Sequence, residues 1–159
     1  MKRVFAYIGI FTLTISWMAL IYGFSAQDAA ESGGLSAIIA EPVTQMIMKL
    51  RDLPAEEYDA LYMQVDSSIR VMAHFTEYAI LGILMTVLCR MLHWKGLWIP
   101  WVICTVFAVT DEWHQFYSPG RAAEVKDVVI DSAGVICGII LLLLLRKVWR
   151  SRHRRYTKA

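Results

Sequence analysis

Four long apolar runs dominate the chain, at residues 4–24, 71–92, 97–117 and 128–145. A helix needs about 20 predominantly apolar residues to cross a hydrocarbon core of about 30 Å. Each run approaches that length once its interfacial residues are counted. The pattern predicts an all-α membrane protein, a four-transmembrane-helix bundle forming one domain over residues 1–159. Lys2 and Arg3 precede the first run as they would in a signal peptide. Signal peptides carry an apolar core of only about 7–15 residues, so an uncleaved first helix is expected.

A polar segment of about 45 residues separates the first two runs. Within them Leu35, Ile38, Ile39, Pro42, Val43, Met46, Ile47 and Leu50 recur at helical spacing and predict an amphipathic helix. Asp52 is expected to cap a second short helix that starts at Pro54 and carries Tyr58, Leu61, Tyr62 and Val65 on its apolar side. Both helices are expected to be extracytoplasmic, lying in the interface or covering the outer ends of the spans. The sequence shows no internal repeat and no low-complexity segment.

Composition agrees with the pattern. The chain is 57% hydrophobic and 19% charged, with a mean hydropathy of +0.47. Its net charge of +2 hides a strong segregation. Residues 28–66 are mostly acidic, whereas six Arg and Lys fall within residues 146–155 and Lys158 follows. A basic tail next to a span reads as a topology anchor facing anionic head groups, and no nucleic-acid partner is expected. Basic residues also precede the first run and flank the turn at Arg90 and Lys95. Four spans would place all three basic regions on one side. The positive-inside rule makes that side the cytoplasm, with both termini there. Arg51, Arg70 and Arg121 on the other side count modestly against this orientation. Cys89, Cys104 and Cys137 lack metal-ligand spacing and are expected as small packing residues. The six tryptophans are expected as interfacial anchors, His93 as an exposed turn residue and His114 as solvated.

Candidate chemistry gathers at the expected outer ends of the runs. The first ends in Ser25 and Gln27, the second begins with Arg70, His74 and Glu77, and the third ends with Asp111, Glu112, His114 and Gln115. Arg121, Glu124, Asp127 and Asp131 lead into the fourth. Arg70, His74 and Glu77 share one helical stripe. Cys104, Ala108, Asp111 and Gln115 share another, and Asp127, Asp131, Gly134 and Gly138 a third. Small residues continue two of these stripes inward, which predicts that the stripes face one another across a tight bundle. A charge at the bilayer centre costs at least about 2.5–3.5 kcal/mol, so the deepest groups need partners. The expected assembly has Arg70, His74 and Arg121 neutralising Glu77, Asp111, Glu112, Asp127 and Asp131. Carboxylates outnumber those cations, which leaves a protonated carboxyl, a divalent cation or a cationic ligand group to balance them. The bland alternative is a salt-bridge network that fixes helix register. His74 and Glu77 fit a metal-ligand pair or a hydrogen-bonded structural pair equally well. Ser25 with His74 as base is a weak nucleophile candidate. Glycine-rich phosphate loops, HExxH and CxxC are all missing from the sequence.

The chain resembles the VanZ-like family over about residues 4–145. The resemblance rests on Phe24-Ser25-Ala26-Gln27, on Arg70 with His74, Glu77 and Tyr78 leading to Leu81-Gly82, on Asp111-Glu112-Trp113-His114-Gln115-Phe116, and on Pro119-Gly120-Arg121 followed by Asp127, Asp131 and Gly134. Val71 stands where family members often have Lys, and Asp131 where Asn is also common. The resemblance implies a bacterial inner-membrane protein of the cell envelope. It also implies a link to antibiotic resistance, namely to teicoplanin, a lipoglycopeptide that acts outside the cell on lipid-linked cell-wall precursors. The expected function is an outward-facing polar site for a lipid-linked or anionic head group. Its ligand partners would be membrane lipids, a lipid-linked cell-wall precursor among them. Arg70 and Arg121 would grip phosphate, with Gln115, Asp127, Asp131, Ser25 and Gln27 around the ligand. If the site is catalytic, as in a hydrolase or transferase, His74 is the best base and Glu77, Asp111 or Glu112 its partner. A non-enzymatic binder that alters antibiotic access is the alternative. A proton-coupled carrier fits less well, because the polar residues stop near one face.

Overall fold

A computed structural model describes residues 1–27, 29–118 and 124–156. The side chains of residues 2, 29–32, 152 and 154–156 lie outside that description. The described residues form five α-helices and no strand. They are α1 (Lys2–Ser25), α2 (Ala29–Arg51), α3 (Tyr58–Met91), α4 (Trp98–Gln115) and α5 (Val125–Tyr156), with a 3-10 turn at Ala55–Glu57 before α3. Among the described residues three stretches are long and apolar enough to cross a membrane: Arg3–Ser25, Ala55–Met91 and Val125–Ser151. α4 has 18 residues, and its last turn carries Asp111, Glu112, His114 and Gln115. Those polar residues dilute its hydropathy.

α3 is the hub and packs on each of the other helices, most extensively on α5. The cause is a run of small residues. A Cβ added at Gly134 would stand 2.4 Å from the Phe75 carbonyl oxygen, and one at Gly138 would stand 2.0 Å from that of Ala79. Only glycine lets the two backbones touch at these points. Around this contact Ile21, Tyr78, Leu81, Met85, Cys89, Cys104, Ala108, Val135 and Ile139 form the core. Cys89 and Cys104 do pack inside, whereas Cys137 is exposed, and all three are free thiols.

The segment between the first two runs departs from expectation. No separate short helix starts at Pro54; α3 runs unbroken for 34 residues from Tyr58. At 1.5 Å per residue it is about 51 Å long, well beyond the roughly 30 Å of a hydrocarbon core. Asp52 does not cap it. With φ 51° Asp52 ends α2 instead, where the Leu53 N–H bonds the Met48 carbonyl at 3.1 Å in a Schellman closure. The α3–α4 turn uses the same device: His93 has φ 61° and the Trp94 N–H reaches the Cys89 carbonyl at 2.9 Å. The basic segment is helical, because α5 continues through it to Tyr156.

α2 also faces differently than its apolar stripe suggests. Ser36, Ala40 and Thr44 are the buried positions, and α2 packs on α3. Ile38, Met46 and Leu50 remain 63–72% exposed. Small residues allow a close helix contact, which leaves the large apolar side chains on the outside. Two tryptophans also tie helices together. Trp17 donates to the Glu77 carbonyl at 3.0 Å, and Trp101 donates to Ser132 Oγ at 2.8 Å, tying α1 to α3 and α4 to α5.

Gly138→Val should lower the thermal unfolding midpoint in detergent, by at least the roughly 1–3 kcal/mol of an overpacked core. Gly9→Val, where nothing lies within 4 Å, should leave it unchanged. Equal midpoints for the two variants would contradict the α3–α5 contact.

Candidate functional site

The polar residues of α1, α3, α4 and α5 converge at the end of the bundle that carries α2, and they fall into two layers. The first lines a cavity of about 220 Å³ among α1, α2 and α3, with Gln27, Ser36, Arg70, His74 and Glu77 facing Phe24, Leu35 and Ile39. The second lies behind it. Asp111 is 1% exposed, Glu112 and Gln115 4%, and Asp131 0%.

Specific contacts join the helices across these layers. Tyr78 Oη donates to Asp111 Oδ2 at 3.2 Å, linking α3 to α4. His74 Nδ1 stands 3.8 Å from Asp131 Oδ1, linking α3 to α5. Glu112 Oε2 accepts the Glu124 backbone N–H at 3.0 Å. Neither carboxylate oxygen of Asp131 has a hydrogen-bond partner among the described residues. The charges of Glu77, Asp111, Glu112 and Asp127 all bear on Asp131, and that of Asp111 bears on Glu77. Five acidic groups therefore share a poorly hydrated region, where like charges repel strongly. Among the described residues no group of three or more His, Cys, Asp or Glu side chains is arranged to hold a metal ion.

Arg70 is held by a partner the sequence reading did not single out. Two of its donors converge on one oxygen, Asp66 Oδ2, at 2.5 Å from Nη2 and 3.1 Å from Nε. Ser36 donates a short hydrogen bond to the other oxygen, Asp66 Oδ1. Arg70 was expected to neutralise the deeper carboxylates. It turns to Asp66 because a residue four positions earlier lies on the same helix face. The remaining donors of its guanidinium stay available on the cavity side, since the side chain is 33% exposed. That i, i+4 spacing was the available signal for Asp66.

Other candidates take different places. Ser25 is buried at the end of α1 and does not line the polar cavity. Asp127 is half-buried in the first turn of α5. His114 is half-buried rather than solvated, and its ring lies 4.2 Å from that of Tyr22. Arg121, with Pro119 and Gly120, lies outside the described residues. Tyr78 is fully buried at the centre of the cluster although only the family motif pointed to it.

The family assignment follows from the same segments. A family model for VanZ/LLP1 matches residues 10–146. The chain belongs to the VanZ/LLP1 family. With its apolar helices it is a membrane protein of that family. No curated protein and no solved structure matches the chain. The matched region contains every residue of both polar layers, so the cluster sits inside the family's domain rather than on an appendage.

Tyr78→Phe should destabilise the protein by about 1–3 kcal/mol, because it removes a donor from a buried carboxylate. Chemical or thermal unfolding in detergent measures this. Wild-type stability would show that Asp111 does not depend on that hydroxyl.

Proposed function

We propose that this VanZ/LLP1 protein binds the anionic head group of a membrane lipid or lipid-linked envelope precursor in the cavity formed by Gln27, Arg70, His74 and Glu77. The observation that carries this reading is Arg70. Its guanidinium is held by Asp66, which Ser36 in turn holds, and it lines a cavity shared by polar side chains and by Phe24, Leu35 and Ile39. A pre-oriented guanidinium is suited to bidentate recognition of phosphate. Gln27 supplies a neutral amide, and His74 and Glu77 supply groups that exchange protons with a head group. Asp111, Glu112, Gln115 and Asp131 act behind the cavity by holding helix positions and setting its field. Arg121 would add a second cation.

A hydrolase or transferase step is the second reading, and His74 favours it. It lines the cavity with the Asp131 carboxylate 3.8 Å behind its Nδ1, the order of a general base and its orienting acid. That spacing is longer than a hydrogen bond, so the binding role has the firmer geometric support. A proton-coupled carrier has none. Beyond the cluster the bundle centre is filled by Leu81, Met85, Leu88, Val135 and Ile139.

The proposed setting is the bacterial inner membrane, crossed four times, with both termini cytoplasmic and the cavity on the outer side. α4 supports four crossings. It packs against α3 and α5 with Cys104 and Ala108 fully buried, and its Val102, Val106 and Val109 are exposed. A role in the cell envelope and in teicoplanin resistance follows from head-group binding on that side. Impermeant maleimide should label Ala55→Cys in intact cells but label Lys95→Cys only after permeabilisation. The reverse pattern would invert the topology.

Native mass spectrometry in nanodiscs containing phosphatidylglycerol and phosphatidylethanolamine tests the binding. Retention of phosphatidylglycerol should fall at least about tenfold with Arg70→Gln, the loss expected for a buried charge-assisted pair. His74→Gln should leave retention within about threefold if the site only binds. Unchanged retention in Arg70→Gln would remove the proposal.

A further inference from the structure

A second, larger cavity of about 840 Å³ runs along α3 between α1 and α2. Its walls are mostly apolar, with Trp17 from α1, Val43 and Ile47 from α2, and Leu61, Met72 and Ile80 from α3, while Arg51, Gln64, Ser68, Thr76 and Glu77 add polar positions along it. Leu61 to Ile80 spans 19 residues of helix, about 28 Å, of which residues 72–80 belong to the second apolar run and residues 61–69 to the part of α3 that continues past it. This cavity adjoins the polar one, because Ile39, Ile69, Ala73 and Glu77 line both. A long, mostly apolar groove and a smaller polar cavity therefore lie side by side and meet at these four residues.

The packing of α2 explains why the groove stays open. α2 buries its small residues Ser36, Ala40 and Thr44, and beside that stripe Ile39, Val43 and Ile47 overhang the groove. The outer face of the same helix exposes Ile38 at 72% and Leu50 at 72%. A wall that is apolar on both sides is stable where hydrocarbon is the surrounding medium. A chain in that medium reaches the groove sideways, without crossing water.

Building on the head-group reading above, we infer that the ligand is a long-chain amphiphile. One hydrocarbon chain of an anionic membrane lipid lies in the groove between α2 and α3 while its head occupies the Arg70–His74–Glu77 cavity. The relative sizes of the cavity and the groove match that chemistry: a small charged head and a long tail. A water-soluble head group would engage only the smaller cavity. The protein therefore selects lipid-linked anions over the same anions free in solution, and the chain supplies most of the discrimination.

The test uses the full-length protein in nanodiscs with phosphatidylglycerol carrying a diazirine at the end of one acyl chain. Photolabelled peptides are mapped by mass spectrometry. Labels should concentrate on residues 39–47 and 61–80. Val43→Trp, which fills the groove away from the polar cavity, should lower them at least about fivefold. Ile38→Trp, the same side chain on the outer face, should leave them unchanged. Glycerol 3-phosphate should not displace the lipid at concentrations that saturate a simple phosphate site. If labels are spread over all lipid-facing helices and Val43→Trp matches Ile38→Trp, the groove is not a chain site, whatever Arg70→Gln does to head-group retention. If the groove is labelled and sensitive to Val43→Trp while Arg70→Gln changes nothing, the chain site stands and the head-group reading fails. Cross-links between two protein copies through the groove would instead identify its occupant as a second chain and overturn the inference.

Discussion

Backbone contact between α3 and α5 is the constraint from which the rest of the site follows. Gly134 and Gly138 bring α5 against the carbonyls of Phe75 and Ala79. No side chain of useful size fits between the helices along that line. Asp131 lies one turn before Gly134, so the same approach carries its carboxylate into the bundle at 0% exposure and beside His74. Burial of a carboxylate in a bundle surrounded by lipid is expensive. Two neighbouring acids have local donors, in the Tyr78–Asp111 and Glu124–Glu112 bonds, whereas Asp131 has none among the described residues.

Function and stability therefore pull against each other at one end of the molecule. The acidic groups near Asp131 repel one another in a dry region, and a bundle built for stability alone would replace them with apolar residues of similar size. A ligand offering a cation, or protons shared among the acids, would relieve that repulsion. The cavity side carries the opposite character. There the Arg70 guanidinium, positioned by Asp66 and Ser36, lines a small space with Gln27, His74 and Glu77 on its polar side and Phe24, Leu35 and Ile39 on its apolar side.

α2 links this pocket to the membrane. Its contact with α3 uses small residues, its outer face is apolar, and the overhang between them forms the long groove that meets the polar cavity at Ile39 and Glu77. A single helix thus lines the pocket, anchors Asp66 through Ser36 and forms one wall of the groove beside it.

The all-helical class, the apolar runs and the three polar stripes were legible from local sequence alone. Hydrophobic length and the 3.6-residue period act within one element, and they correctly grouped Cys104, Ala108, Asp111 and Gln115 on the buried face of α4. The partition into pocket and supporting layer was not legible. Whether His74 faces a cavity while Asp111 lies behind it depends on the rotation of each helix about its axis, which neighbouring helices decide. Side-chain choices were hidden for the same reason. Arg70 had several carboxylates to choose from, and only the placement of α2, which brings Ser36 to Asp66, shows which one holds it. The continuity of α3 past residue 70 and the outward turn of the α2 apolar face are likewise tertiary outcomes. Periodicity identifies an apolar stripe, but what that stripe faces is set by the closest packing available to the small residues beside it.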